Sequence, residues 1–320
     1  MITPLTEEAI DTAVTERLAR RPWPVTRIKT DVEVSFEFFP TSTHAGADNL
    51  SDCARALDQL EPSFFSVTYG AGGSTKDRTN DTVANVRAST SSDVAAHLTC
   101  IAATKDETHG VLDSYRESGI HRVVALRGDP PDGADQTASG YVDAAELVEG
   151  IRGRADGSIF DISVAAYPET HPKAASRAKD IDNLKRKLDA GADRAITQFF
   201  FNTDEYFRFT DDCRSAGISA PIIPGIMPIT NFERVSGFAS RCGTTIPPWM
   251  PELFGGLDKA PEIHSLIAAT VAAEQCRQLS EHGVRQFHFY TMNKPELSLA
   301  VCRTLGLRPA TVSVQATAAS

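Results

Sequence analysis

Residues 32–39 read VEVSFEFF, and their alternation is that of a strand with two unlike faces. Val32, Val34, Phe36 and Phe38 fall on one face, while Ser35 and Glu37 share the other with Phe39. Working outward, short apolar runs recur at 64–69 (FFSVTY), 94–100 (VAAHLTC), 122–127 (RVVALR) and 161–167 (DISVAAY). Three more follow at 194–201, 222–227 and 286–291. Amphipathic segments of helix length separate them, at 49–60, 79–89, 107–118, 142–153, 175–190 and 262–281. In the last of these Ile263, Leu266, Ile267, Val271 and Leu279 keep helical spacing. Strand–helix alternation repeated eight times predicts an α/β chain whose parallel sheet closes into a (β/α)8 TIM barrel. The rival doubly wound sheet lacks its usual mark, because Gly70-Ala71-Gly72-Gly73 does not have GxGxxG spacing.

The expected organisation is an N-terminal helical extension over 1–31, one barrel over 32–309 and a flexible tail over 310–320. Thr6-Glu7-Glu8 reads as a capped, acidic first turn in that extension. The long gap between strands seven and eight predicts extra helices, one of them including 247–254. The last residues are rich in Ala, Thr and Ser.

The chain has 320 residues, with 32 Lys and Arg against 42 Asp and Glu, a formal net charge of −10. That balance argues against duplex nucleic acid and against a polybasic membrane anchor. No apolar run is long enough to span a bilayer, and acidic residues interrupt the first stretch where a secretory signal would need apolar ones. Cys53, Cys100, Cys213, Cys242, Cys276 and Cys302 form no CxxC pair, so reduced thiols in a cytoplasmic protein are expected, and no zinc or other metal site.

A barrel strand turns one face to the helices and the other to the interior, so Glu37 points inward near the end where barrel active sites lie. An isolated inward glutamate is often a structural partner of an arginine. Here the same geometry brings Thr68, Tyr69, His97, Arg127, Asp129, Tyr167, Gln198 and Tyr290 to the ends of other strands. Between Phe36, Phe38 and Phe39, Glu37 is expected to be desolvated, its pKa raised, and ready to donate a proton. Asp129, in Arg127-Gly128-Asp129-Pro130-Pro131, is expected to stay ionised and to stabilise a cation. After the fifth strand, Lys173, Arg177, Lys179, Lys185, Arg186 and Lys187 form a basic run in an acidic chain. Asp180, Asn183 and Lys187 make one helical stripe beside Ile181, Leu184 and Leu188. With the rigid loop Tyr167–Pro172 before it, this stripe suits an anionic, aromatic cofactor, although charge runs are commonly solvated faces.

These segments together resemble the bacterial methylenetetrahydrofolate reductases, FAD-dependent barrel enzymes that interconvert 5,10-methylene- and 5-methyltetrahydrofolate. The resemblance is carried by VSFEFFP (34–40), SVTYGAGGST (66–75), HLTC (97–100), ALRGDPP (125–131) and DISVAAYPETHP (161–172). It continues through NLKRKLDAGADRAITQFFF (183–201), IIPGIMPITNF (222–232) and FHFYTMNK (287–294). It implies Glu37 as the general acid that protonates folate N10, and Asp129 as the stabiliser of the resulting 5-iminium cation. Gln198, Asp129, Arg234, Phe238 and Lys294 would contact substrate. Flavin contacts would come from Thr68, Tyr69, Ala71, His97, Arg127, Gly128, Asp129, Tyr167, His171, Ala174, Asp180, Asn183, Arg186 and Lys187. The implied chemistry is ping-pong, with NADH or NADPH reducing FAD before folate binds. Assembly as a homo-oligomer is expected separately, from how commonly soluble proteins assemble.

Three positions depart from the family pattern. Lys294 stands where arginine is frequent, Arg234 where some relatives have glutamine, and Val142 where a small residue is usual near the cofactor. A folate-binding barrel that transfers a methyl group without flavin is the runner-up on the same fold, and a non-catalytic folate- or flavin-binding scaffold is a third reading.

Overall fold

The computed structural model describes residues 31–69, 76–128 and 140–309. Eight strands form a closed barrel in the order β1 to β8. They are β1 (Glu33–Phe38), β2 (Phe64–Val67), β3 (Val94–Thr99), β4 (Arg122–Leu126), β5 (Asp161–Ala166), β6 (Arg194–Phe199), β7 (Ile222–Ile226) and β8 (Gln286–Tyr290). All eight pairings are parallel, and β8 closes on β1 with His288 opposite Ser35 and Tyr290 opposite Glu37. Each strand lies within the run expected for it. The α/β barrel and the extra helices before the last strand are both present. The expected extension over 1–31, apart from Asp31, and the tail over 310–320 lie outside the described residues.

Six helices cover the barrel along the first half and middle of the chain: α1 (His44–Asp58), α2 (Lys76–Ser89), α3 (Lys105–Glu117), α4 (Ala144–Arg152), α5 (Arg177–Asp189) and α6 (Thr203–Ser215). Local chemistry fixes their starts. Thr104 and Glu107 close a full capping box on α3, and Ser176 accepts the Lys179 N–H at the start of α5. Between β7 and β8 come α7 (Phe232–Cys242), α8 (Trp249–Phe254) and α9 (Pro261–Glu281), and α10 (Glu296–Thr304) follows β8.

The core lies between strands and helices. Val34, Phe36 and Phe38 face outward from β1 and are buried, with Phe36 stacked near Phe65 and Phe289. Burying each such ring contributes about 1.5–3 kcal/mol. A smaller apolar layer of Phe64, Ala95, Val124, Ile196 and Ile223 fills the barrel interior. Below it, Arg122 and Arg194 both pair with Asp161 at the N-terminal ends of the strands. The interior is therefore plugged, and the open end is the one where the strands finish. Among the described residues, no helix is long and apolar enough to cross a membrane, and the six cysteines are free thiols.

Candidate active site at the C-terminal mouth

Strand alternation sends Ser35 and Glu37 inward, opposite to Phe36, and the closure of β8 on β1 sets His288 beside them. Glu37 Oε2 lies 3.2 Å from His97 Nε2 and 3.6 Å from His288 Nε2. The other nitrogen of His288, Nδ1, is 2.7 Å from Ser35 Oγ, and the ring stacks on Phe64 at 5.9 Å. A hydroxyl donating to Nδ1 leaves Nε2 to carry its proton toward the carboxylate. The result is a Ser35–His288–Glu37 chain with His97 on the carboxylate's other side.

The His97 contact is close but not aligned as a hydrogen bond. His97 Nε2 and the neighbouring Ser66 Oγ are buried polar atoms without a hydrogen-bond partner among the described residues. Ser66 sits opposite Glu37 in the β1–β2 register. Two orphaned polar atoms beside a carboxylate are an invitation to a ligand atom or a water.

This arrangement corrects the expectation of a raised Glu37 pKa. Burial does push the carboxyl up, and it is the largest single influence. The contacts and charge of His288 and His97 together outweigh it and hold the group at about 2, against an ordinary 4.5. The sequence reading counted Phe36, Phe38 and Phe39 around Glu37, yet Phe36 and Phe38 face the helices and Phe39 is exposed at the mouth. The two imidazoles across the barrel are what the carboxylate meets.

Tyr290 ends β8 on the same interior face. Its hydroxyl donates to the Thr197 carbonyl at 2.7 Å, and burial drives its pKa well up, so it remains a phenol. Gly225 on β7 makes room for it, since a Cβ there would fall 2.6 Å from the Tyr290 ring. Gln198 is the last residue but one of β6, and its Oε1 folds back to accept the Phe199 N–H.

A cleft of about 430 Å³ opens at the ends of β4 and β5. It gathers Arg127, Gly128, Tyr167, His171, Ala174, Asp180, Asn183, Arg186 and Lys187 from three separate stretches of chain. Gly128 has φ +83°, and a side chain there would strike Ile101. His171 is held on both sides: its N–H donates to Asp180 Oδ2 at 2.7 Å, and its Nδ1 accepts the Lys173 N–H. Its ring meets Tyr167 edge-on at 4.5 Å. Lys187 reaches in from α5 to donate to the Ala165 carbonyl, and burial lowers its pKa to about 8 despite Asp180 and Asp143. A cationic cleft with a partly desolvated lysine fits a pyrophosphate, and the two rings fit a planar ring system beside it. Asp143, which caps α4 and pairs with Arg186, was not among the expected residues.

Thr68, Tyr69 and His97 stand at the ends of β2 and β3 rather than in this cleft. Val142 is exposed just before α4. Ala71 and Asp129 lie outside the described residues.

A second cleft of about 400 Å³ lies on the α7 side, lined by Phe39, Arg234, Phe238, Arg241, Met292 and Lys294 among others. Phe238 approaches Phe199, which in turn packs against Tyr290, so the cleft continues from the mouth. The loop carrying Lys294 is fixed to β1. Asn293 Nδ2 donates to the Phe39 carbonyl at 2.8 Å, and Asn293 Oδ1 accepts the Phe39 N–H at 3.1 Å. Thr291 Oγ1 adds a bond to the Glu37 carbonyl at 2.7 Å. Met292 and Asn293 both take φ +54°, a strained pair that these tethers hold in place. Sequence reasoning missed Ser35, His288, Asn293 and Arg241 as site residues. Alternation had already put Ser35 on the interior face with Glu37, and it would have put His288 there too.

The family model described as methylenetetrahydrofolate reductase matches residues 25–306. The 5,10-methylenetetrahydrofolate reductase of Salmonella typhimurium is 47% identical over 282 residues, 88% of this chain and 93% of that one. The Escherichia coli enzyme of the same name is 46% identical with the same coverage. Among solved structures, a Clostridium thermocellum protein described as binding two copies of 5-methyl-5,6,7,8-tetrahydrofolic acid superposes with a TM-score of 0.56. It covers 88% of this chain and 96% of its own at 14% identity, a likeness of fold alone.

Proposed function

The chain belongs to the methylenetetrahydrofolate reductase family, and we propose that it interconverts 5,10-methylenetetrahydrofolate and 5-methyltetrahydrofolate with FAD as cofactor and NADH or NADPH as second substrate. The observation that carries the reading is Glu37, an interior carboxylate at the mouth with two imidazoles in contact and clefts on either side. FAD, when bound, supplies the flavin that takes hydride from the nicotinamide and gives it to the folate. The Arg127–Lys187 cleft would hold it, with Lys187 and Arg186 at the pyrophosphate and Tyr167 and His171 along the ring system.

Glu37 moves the proton. It is ionised at neutral pH in the ligand-free protein, so the proton that N10 needs must first reach it. His97 and His288, 3.2 and 3.6 Å away, hold the carboxylate in place, and the proton itself comes from solvent as the folate enters. A pterin covering the mouth excludes water, disfavours the carboxylate and draws that proton onto it. Ser35, bonded to His288 Nδ1, fixes the ring so that Nε2 faces Glu37. Asp129, next in sequence after Gly128, takes the role of balancing the 5-iminium cation once N10 leaves. Gln198 contacts the pterin, while Arg234, Phe238 and Lys294 border the remainder of the substrate. A flavin-free methyl transfer on the same barrel would leave the cationic β4–β5 cleft without a ligand.

Purified protein reconstituted with FAD is expected to be yellow and to bleach on adding NADH or NADPH. Protein that stays colourless after FAD is added overturns the flavin half of the reading. Lys187 makes the expectation quantitative. Its ammonium is lost as pH rises through about 8, so FAD affinity should weaken above that pH. Lys187→Met should bind FAD about tenfold or more weakly at pH 7, the scale of a lost charged hydrogen bond, and without the step near pH 8. For the ligand-free protein the sign reverses. The unfolded chain binds the extra proton between pH 8 and 10.5, so stability contributed at this site rises with pH across that window.

A further inference from the structure

Tyr167 and His171 line the flavin cleft from the loop between β5 and α5, but Glu169, midway between them, does not. Its Oε2 accepts the Thr245 N–H at 2.9 Å, from a segment 76 residues further along the chain. Its Oε1 is buried with no hydrogen-bond partner among the described residues. Burial raises its pKa, the contacts with Thr245 lower it, and the like charge of Glu205 raises it again. Such a position disfavours a carboxylate, and what the side chain returns is the bond to Thr245.

The other end of that bond lies just beyond α7. Gly243 ends α7 at φ +75°, and a Cβ there would fall 2.7 Å from Pro172 Cγ, so this turn lies directly on the flavin loop. Thr244 Oγ1 donates to the Phe199 carbonyl at the end of β6, at 2.9 Å. Phe199 in turn meets Phe238 of α7 and Tyr290 of β8. Residues 243–245 therefore touch the flavin loop, the end of β6 and the helix that walls the substrate side. On the far edge of the loop, Arg177 donates to the Pro168 carbonyl at 3.0 Å and to Asp212 Oδ2 at 2.6 Å, anchoring it to α5 and α6. Thr170, beside Glu169, holds φ +76°, a strained setting for a β-branched residue that persists only where its surroundings fix it.

Resting on the cofactor and folate reading above, we infer that Glu169 is a positioning residue that couples the two clefts. Through the Thr245 amide it ties the loop bearing Tyr167 and His171 to the end of the helix bearing Arg234 and Phe238. Filling the flavin cleft fixes the loop, and the tie passes that order to the substrate wall. Coupling of this kind is reciprocal, so a ligand against α7 also tightens the hold on the cofactor. A charge-assisted bond suits the task, because one carboxylate oxygen on one amide is directional and about twice as strong as a neutral pair.

Amide hydrogen exchange read by mass spectrometry tests the tie, in peptides covering 167–172 and 243–248, with and without FAD. In the parent protein FAD should slow exchange in both peptides, although residues 243–245 do not line its cleft. In ligand-free Glu169→Ala both peptides should exchange about tenfold faster, the scale of one lost charged hydrogen bond, and FAD should no longer slow the second. The variant should bind FAD about three- to tenfold more weakly and raise KM for 5,10-methylenetetrahydrofolate by a similar factor. Its kcat at saturating FAD should stay within about twofold of the parent. Glu169→Gln, whose amide oxygen can still accept the Thr245 N–H, should recover part of each effect. Exchange at 243–248 that ignores FAD in the parent overturns the coupling. Parental exchange in both peptides of Glu169→Ala overturns the tie itself. Faster exchange spread over the whole barrel, with kcat falling and KM unchanged, also overturns it and leaves Glu169 as part of the packing. Parent protein that takes up no FAD sinks the cofactor reading, and the ligand-free exchange comparison then decides the tie alone.

Discussion

Glu37→Gln is expected to leave flavin reduction by NADH or NADPH intact while slowing reaction with 5,10-methylenetetrahydrofolate by about 10²–10⁴-fold, the range of a lost general acid. The amide has nearly the shape of the carboxylic acid but no proton to give N10. Nothing in the nicotinamide half-reaction requires that proton. The Arg127–Lys187 cleft is built from β4, β5 and α5, and Glu37 is not among its lining residues, so flavin content should be unchanged. Stopped-flow absorbance, run separately for each half-reaction, reads the difference. If both half-reactions proceed at the parent rate, Glu37 is not the acid. Stability supplies an independent signature. A carboxyl held at about 2 rather than 4.5 contributes stability that is complete above pH 4.5 and is lost as pH falls through about 2. The glutamine variant lacks that acid-limb dependence at this site.

What the sequence made legible follows the range over which its signals act. Period-two alternation in 32–39 is a local property, and it correctly turned Glu37 away from Phe36 and Phe38. The helical stripe of Asp180, Asn183 and Lys187 is equally local, since about 100° per residue fixes which side chains share an edge. These three do line one cleft. The charge state of Glu37 was not local. It depends on His97 from β3 and His288 from β8, and β8 reaches β1 only when the barrel closes. A reading that sees neighbours in sequence weighs desolvation and misses partners brought by closure. For the same reason, Asn293 passed unnoticed. Its amide imitates one more rung of the β8–β1 ladder by pairing with both polar groups of the Phe39 backbone. An asparagine in a loop carries no mark of that task. Arg241 went unseen because a lone arginine near the end of a helix is ordinarily a solvated cation favoured by the helix dipole.

Gly225→Ala should be the most damaging single methyl group added to this site. A Cβ at 225 would stand 2.2 Å from the Thr197 carbonyl oxygen and 2.6 Å from Tyr290 Cε2. Neither neighbour can give easily. The Thr197 carbonyl belongs to the adjoining strand and already accepts the Tyr290 hydroxyl, while Thr197 Oγ1 accepts the Gly225 N–H at 2.9 Å. The softer element is the Tyr290 ring, and turning it aside breaks its bond to Thr197. It also disturbs the edge-on contacts with His288 and Phe199. Overpacking of this kind costs about 1–3 kcal/mol, which for a domain of this size lowers the melting temperature by roughly 2 °C or more per kcal/mol. Function should fall further than stability. His288 presents its Nε2 to Glu37, and misplacing a reacting group by about 1 Å can cost 10²-fold in rate. Gly237→Ala provides the contrast. It also adds one methyl to a glycine near the mouth, but into open space on α7, and it should leave the melting temperature unchanged or raise it slightly. Thermal unfolding of the pair, with folate turnover measured on each, separates crowding of the barrel wall from mere loss of a glycine. A Gly225→Ala protein that melts and turns over like its parent would mean that Tyr290 is not confined by β7, and the proposed placement of the Glu37 proton relay would lose its wall.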